Sequence, residues 1–206
     1  MGEAEIQKYC DLMEEIKRRT AVVDFFHAGG GHALYLPTTV ESVALQLRKI
    51  MELIALGSLV ANKEHYSAAY EKFATHWHAG RILRDVEKIN PDFYPKPVME
   101  GPHYQLMDRQ PDYLSKGEFE AAYEECGPIM HAENPYGARV DYHHYRAKLP
   151  EWRTKIVNLL NNHQIRLLGE TGFWLIHMKE DRDDKAHYYK FVPEFSKASG
   201  PPIAPG

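Results

Sequence analysis

Residues 41–62 read ESVALQLRKIMELIALGSLVAN, and this stretch decides the fold class. Val43, Leu47, Ile50 and Ile54 recur at spacings of three and four, which is typical of a helix that buries one face against a core. Three more leucines widen that face, namely Leu53, Leu56 and Leu59. So wide an apolar face predicts a helix at the centre of a mainly α-helical domain.

Upstream of the central helix, a second apolar stripe follows the same spacing and consists of Ile6, Tyr9, Cys10, Met13 and Ile16. It predicts a helix that runs to Phe26. Residues 27–31 read HAGGG, where glycine ends the helix and leaves a flexible connection. A His-Gly-rich loop can also donate N–H groups to an oxyanion, but the Gly-x-Ser-x-Gly motif of such esterases is absent. Thr38 with Glu41 has capping-box spacing and predicts where the central helix begins.

Downstream, the pattern predicts a third helical region over residues 65–89, kinked near Gly80 and ended by Asn90 before a proline. Prolines recur between residues 91 and 111, which predicts a long ordered loop or short edge strands. Ser115 and Glu118 form a second capping-box pattern, and the helix that begins there should end near residues 127–128.

The C-terminal part of the chain predicts a last helix and a hairpin. The helix begins at about Tyr142 and ends near Gly169, and aromatic and β-branched residues at about 171–193 then flank a charged turn. The predicted fold class is mainly α, a helical bundle of about five helices with a C-terminal β-hairpin. We expect one domain over residues 1–195 and a disordered tail over 196–206.

The composition narrows the function classes. A net charge of -4 argues against a surface that grips nucleic acid chiefly by neutralising phosphates, although a local basic cleft remains open. Two cysteines are too few for a disulfide framework or a four-thiolate zinc site. The N-terminus has no signal-peptide pattern, and no apolar stretch has the length of a membrane span, so we expect a cytoplasmic protein that does not enter a membrane.

Twelve histidines raise the question of a metal site. His76 and His78 are two residues apart and would point to opposite sides of a helix, so they cannot share an ion there. His177 and His187 are expected to approach each other across the hairpin, but two ligands are too few for zinc. The sequence therefore predicts no metal and no cofactor. A metal-dependent hydrolase that assembles its site from distant histidines is kept as an alternative.

Polar residues concentrate in two places. Arg48 and Glu52 lie four apart on the central helix, where they form either a structural ion pair or, if buried, part of a site. Residues 123–145 read YEECGPIMHAENPYGARVDYHHY and join two helices. A nucleophilic dyad of Cys126 and His131 would be poorly aligned at this spacing, so we interpret Cys126 as a small core residue.

The central helix, the helix carrying YEECGPIMH, the turn NPYG and the final helix together resemble HEPN-type helical bundles over residues 41–168. The resemblance implies a homodimer and, in active members, metal-independent RNA cleavage. The HEPN signature is an Arg, often followed by Asn, and then a His after four to six residues. Arg139 and His144 have that spacing, but Val140 follows the Arg, and His131 is an alternative histidine.

From this resemblance we expect His131, Arg139 and His144 to be catalytic. Histidine suits proton transfer, and arginine suits the stabilisation of a phosphate. Four further residues are expected to bind substrate, namely Tyr123, Asn134, Arg48 and Glu52. The expected partner is RNA or a nucleotide. A non-catalytic domain that binds a nucleotide or a partner protein is the alternative.

Overall fold

The computed structural model describes residues 2–71, 73–102, 105–109 and 112–193. The helices within these residues are α1 (Glu3–His27), α2 (Leu36–Ala61), α3 (Lys63–Ala69), α4 (Ala79–Ile89), α5 (Lys116–Glu125) and α6 (Tyr142–Leu160). The strands are β1 (Lys96–Glu100), β2 (Leu106–Asp108), β3 (Asn162–Ile165), β4 (Phe173–His177) and β5 (His187–Phe191). Short 3-10 helices lie at Phe73–Thr75 and at Pro128–Met130. The mainly α-helical class is confirmed, with six helices in the described part rather than about five.

Helix α2 is the centre of the fold, as its wide apolar face predicts. It packs against α1, α4 and α6, and Leu47, Ile50 and Ile54 are buried. Gly57 allows α1 to approach closely, since a Cβ there would lie 3.1 Å from the ring of Tyr9 on α1. The predicted stripe of α1 is buried too, and this helix extends to His27, one residue beyond the predicted end.

The predicted start of α2 is wrong by about one turn. The helix begins at Leu36 after Tyr35, which makes no side-chain cap, and Thr38 lies inside the first turn. Pro37 fits the first turn because its missing N–H would have no helical partner there. The hydroxyl of Thr38 donates instead to the carbonyl oxygen of Tyr35, at 3.1 Å.

The capping box of α5 is confirmed. Ser115 Oγ accepts from the backbone N–H of Glu118, and the carboxylate of Glu118 accepts from the N–H of Ser115 at 3.0 Å. Lys155 also donates to this carboxylate, and its hydrogen bond lowers the pKa of Glu118 to about 2, with Ser115 adding to the effect. The capping box therefore fixes the start of α5, and the contact between Glu118 and Lys155 joins that start to α6.

Replacing Ser115 with Ala is expected to lower the free energy of unfolding by about 1 kcal/mol, because an N–H of the first turn loses its acceptor. Chemical denaturation of the purified protein measures this change. The Ser115→Thr variant keeps a hydroxyl at the cap and should retain most of the stability. Equal stability of the Ala variant and the wild type would contradict the role of the cap.

The third helical region is interrupted rather than kinked at Gly80. Helix α3 ends at Ala69, and α4 begins only at Ala79, after the 3-10 turn. The hydroxyl of Tyr66 on α3 lies 2.9 Å from Nδ1 of His76, which follows the 3-10 turn. The ring of Tyr70 contacts both residues. These tertiary contacts hold the break in place. The predicted end of the region at Asn90 is confirmed.

The β-structure is larger than the predicted hairpin. Strands β4 and β5 form that hairpin, but they belong to a five-stranded antiparallel sheet with the order β2-β1-β3-β4-β5. The proline-rich segment supplies β1 and β2, which confirms the short-strand alternative for this part of the chain. Of these two strands, only β2 lies at the edge.

Strand β3 corrects the predicted length of the last helix. Helix α6 ends at Leu160, and not near Gly169, because residues 162–165 pair with β1 on one side and β4 on the other. Those backbone hydrogen bonds come from distant parts of the chain. The apolar pattern within the segment therefore could not reveal them.

One cluster of buried apolar side chains connects all six helices with β3 and β4. Helix α6 contacts β1 and β3, so the sheet lies beside the helical bundle. None of the helices that the structure describes has the length and apolar character needed to cross a lipid bilayer. The predicted tail over residues 196–206 lies outside the described residues.

Candidate functional site

The candidate site lies where α5 passes into α6. After the 3-10 helix Pro128–Met130, residues 131–139 are all exposed, including His131, Asn134 and Arg139. The loop is ordered by Asn134, whose side-chain oxygen accepts from the N–H of Tyr136 at 3.0 Å and whose carbonyl accepts from Gly137 at 2.9 Å. The side chain of Asn134 therefore shapes the turn, which is a usual role of asparagine before proline.

His144 is fixed at the start of α6. Asp141 caps this helix by accepting from the backbone N–H groups of His143 and His144, both at 3.0 Å, and these bonds lower the pKa of Asp141. His144 Nε2 lies 3.4 Å from Glu125 Oε1, and Lys148 Nζ lies 2.9 Å and 2.8 Å from the two oxygens of Glu125. The His144 side chain is 54% exposed, so it is both positioned and accessible.

The three predicted catalytic residues share one exposed segment but do not contact one another. Within the described part of the chain, no hydrogen bond or ion pair joins His131, Arg139 or His144 to either of the other two. Arg139 makes no ion pair with any described residue. Its guanidinium is thus available to a ligand.

Arg48, Glu52 and Tyr123 come together between α2 and α5. Arg48 Nη1 donates to the carbonyl oxygen of Tyr123 at 3.1 Å, and its guanidinium carbon lies 4.0 Å from the centre of the Tyr123 ring. Arg48 Nε lies 3.7 Å from Glu52 Oε1, which accepts from the Tyr123 hydroxyl at 3.2 Å. Burial chiefly raises the pKa of Tyr123, and Arg48 opposes that rise. The polar groups of this cluster satisfy one another, which favours the structural alternative for the ion pair.

The Tyr123→Phe variant is expected to lose about 1 to 2 kcal/mol of the free energy of unfolding, because the partly buried Glu52 loses a hydrogen bond. Thermal and urea denaturation measure the loss. Tyr136→Phe is the matched control, since Tyr136 is 97% exposed and should change nothing. A Tyr123→Phe variant as stable as the wild type would show that the cluster does not join α2 to α5.

Cys126 is unsuited to nucleophilic catalysis. Its side chain is buried, whereas His131 is exposed. Burial raises the pKa of the Cys126 thiol to about 12, although Arg48 opposes that rise. A thiol that stays protonated at neutral pH is a poor nucleophile. The structure thus agrees with the interpretation of Cys126 as a core residue.

Four histidines that raised the question of a metal site make local contacts. His76 contacts Tyr66, and His78 caps α4 by accepting from the third residue of that helix at 3.4 Å. His177 and His187 are cross-strand partners, as predicted for the hairpin. Over the described residues, no group of three or more His, Cys, Asp or Glu side chains is placed to hold a metal ion.

His163 is a residue that the sequence did not single out. It is fully buried in β3, where the Tyr9 hydroxyl lies 2.7 Å from Nε2 and the Leu160 carbonyl oxygen lies 2.7 Å from Nδ1. Nδ1 therefore carries the proton of the neutral ring, and Nε2 accepts from Tyr9. Burial is the main cause that lowers the pKa of His163 to about 4. Its hydrogen bonds join α1 to the sheet, a contact that no local pattern could show.

The segment of residues 131–144 thus combines a positioned histidine with an accessible arginine, and the Arg48 cluster lies between α2 and α5, the helix that precedes this segment. No protein-family model, no curated protein and no solved structure matches this chain. Its function must therefore be inferred from the chemistry of these side chains.

Proposed function

We propose that this chain binds RNA at residues 131–144 and cleaves it without a metal ion. The observation that supports the proposal best is the placement of His144. Asp141 and Glu125 fix the residue, yet its imidazole is accessible and follows Arg139 along the same exposed segment. Phosphodiester cleavage needs a histidine for proton transfer and a cation that stabilises the phosphate.

The proposed reaction uses the 2′-hydroxyl of the RNA as the nucleophile. In the neutral His144 whose Nε2–H donates a hydrogen bond to Glu125, Nδ1 carries no proton and can accept the proton of that hydroxyl. The 2′-oxygen then attacks the adjacent phosphorus, and the bond to the 5′-oxygen breaks. His131 in its charged form returns a proton to the leaving 5′-oxygen. Arg139 stabilises the charge that develops on the phosphate oxygens.

This chemistry predicts the ends of the products. An internal attack by the 2′-oxygen leaves a 2′,3′-cyclic phosphate on one fragment and a 5′-hydroxyl on the other. Asn134 is proposed to contact the RNA. Tyr123 has no exposed surface, so Tyr123, Arg48 and Glu52 are proposed to act only by holding α5 against α2. The homodimer implied by the HEPN resemblance and the cytoplasmic location belong to the same proposal, and light scattering on the purified protein measures the oligomeric state.

A second candidate is a non-catalytic domain that binds a nucleotide or a partner protein. Two observations favour it. Val140 replaces the Asn of the HEPN signature, and the Asn134 side chain is already engaged in the turn of the loop. In this case the exposed Arg139 would still bind a phosphate, but no bond would break.

One experiment separates the two candidates. End-labelled RNA is incubated with the purified protein in excess EDTA, and both the fraction bound and the fragments are measured. Fragments that end in a 2′,3′-cyclic phosphate support the endoribonuclease. Binding without fragments supports the non-catalytic domain and refutes cleavage, and the absence of both refutes the proposed RNA site.

A further inference from the structure

A cavity of about 860 Å³ lies between α1, α2 and α6. It is bounded by the end of α1, the loop at residues 28–35, the start of α2 and the middle of α6. Its walls are largely apolar and include Val23, Phe26, Val40, Val43, Leu149 and Pro150. This volume is within the range of small-molecule sites, which run from about 300 to 1,000 Å³.

Two arginines are among the polar residues around the cavity. Arg146 and Arg153 line it together with His27 and His32, whereas Asp24 is the single carboxylate among the lining residues of the described chain. Asp24 is already paired, since Arg153 donates to its two oxygens at 2.7 Å and 2.6 Å. Arg146 is exposed on α6 and makes no ion pair with any residue that the structure describes, so its charge is uncompensated there.

The start of α2 favours an anion at the same place. Leu36, the first helical residue, lines the cavity, and Tyr35 makes no side-chain cap. The first N–H groups of a helix lack helical partners and carry partial positive charge, and in α2 they belong to Leu36 and Thr38, since Pro37 has none. Leu34 and Tyr35 also line the cavity, yet they are 91% and 61% exposed, so apolar contact area is left open at the mouth.

From the apolar walls, the uncompensated Arg146 and the uncapped start of α2, we infer that this cavity binds a small organic anion with an apolar body. The carboxylate or phosphate of the ligand lies against Arg146 and the first turn of α2. Its hydrocarbon or aromatic part fills the space between α1 and α6. None of the proposed RNA-cleaving residues lines the cavity, so this inference stands apart from the proposed function.

Isothermal titration calorimetry with four twelve-carbon probes tests the inference. Each probe is used at a concentration at which it does not form micelles. Dodecanoate and dodecyl phosphate carry the anion, dodecylammonium carries the opposite charge, and dodecanol is neutral. We expect one dodecanoate per chain and binding of dodecylammonium that is at least about tenfold weaker, because a charge-assisted hydrogen bond has roughly that effect on affinity. Comparing the two anions shows whether the site prefers a carboxylate or a phosphate.

Two variants locate the binding. Arg146→Ala should weaken the binding of dodecanoate about tenfold and leave the binding of dodecanol unchanged. Arg84→Ala on the surface of α4 is the matched control. Val43→Trp should block both probes by filling the cavity, and Arg146→Ala alone carries the test if that variant does not fold. Absence of dodecanoate binding, equal affinity for both charges, or an unaffected Arg146→Ala variant would each overturn the inference.

Discussion

Lowering the pH from about 7.5 to about 5 is expected to reduce the free energy of unfolding by about 2 kcal/mol through His163 alone. Burial lowers the pKa of His163 from 6.5 to about 4 in the folded protein. The unfolded chain therefore binds this proton at a higher pH than the folded chain. The stabilising effect of the neutral ring is complete above pH 6.5 and is lost as the pH falls toward 4.

The environment of His163 explains why the ring resists protonation. The protein supplies one acceptor, the Leu160 carbonyl oxygen, and one donor, the Tyr9 hydroxyl. A second ring proton on Nε2 would face that hydroxyl with no carboxylate to balance the charge. His177 is near enough to lower the pKa slightly further. Charging the ring would thus place an unpaired cation in the core.

Urea denaturation at a series of pH values measures this effect. The free energy of unfolding of the His163→Gln variant should depend less on pH, because the variant lacks the titrating ring. The Tyr9→Phe variant should be less stable at every pH and keep most of the pH dependence. His143→Gln is the control, since His143 is exposed and also lies in a structured region. Measurements stay above pH 5 because Glu118 and other carboxylates titrate below it. Parallel curves for the wild type and His163→Gln would contradict the assignment.

The second large effect concerns catalysis. His144→Ala and Arg139→Ala are each expected to reduce RNA cleavage by about 10²- to 10⁴-fold, as the loss of a proton-transfer group or of a charge at the scissile phosphate does. Both residues are exposed, so the fold should survive, with a circular dichroism spectrum and a melting temperature near those of the wild type. Reduced cleavage in an unfolded variant would not count as support.

The sequence predicts the helical part of the fold well because burial of one face gives a local signal. The stripe around Leu47 and Ile50 and the capping box at Ser115 follow from spacing alone. The sheet is different. Strand β3 is a strand because β1 and β4 supply its hydrogen bonds. The residues that pair with it lie at least nine positions away along the chain, as for Ile165 and Trp174.

The candidate site is predictable only in part for the same reason. The four-residue spacing of Arg48 and Glu52 indicates an ion pair, but their contact with Tyr123 depends on how α5 packs on α2. Glu125 beside His144 and Tyr9 beside His163 join residues far apart in the chain. Spacing cannot show such pairs.

The most direct test of the proposed function compares two neighbouring histidines. His143 and His144 both follow the Asp141 cap and are both exposed, but only His144 contacts Glu125. Cleavage of end-labelled RNA in EDTA is measured for the wild type, His143→Ala and His144→Ala at equal protein concentration. The proposal predicts 2′,3′-cyclic phosphate products for the wild type and His143→Ala and almost none for His144→Ala. Equal cleavage by both variants, or none by the wild type, would contradict it.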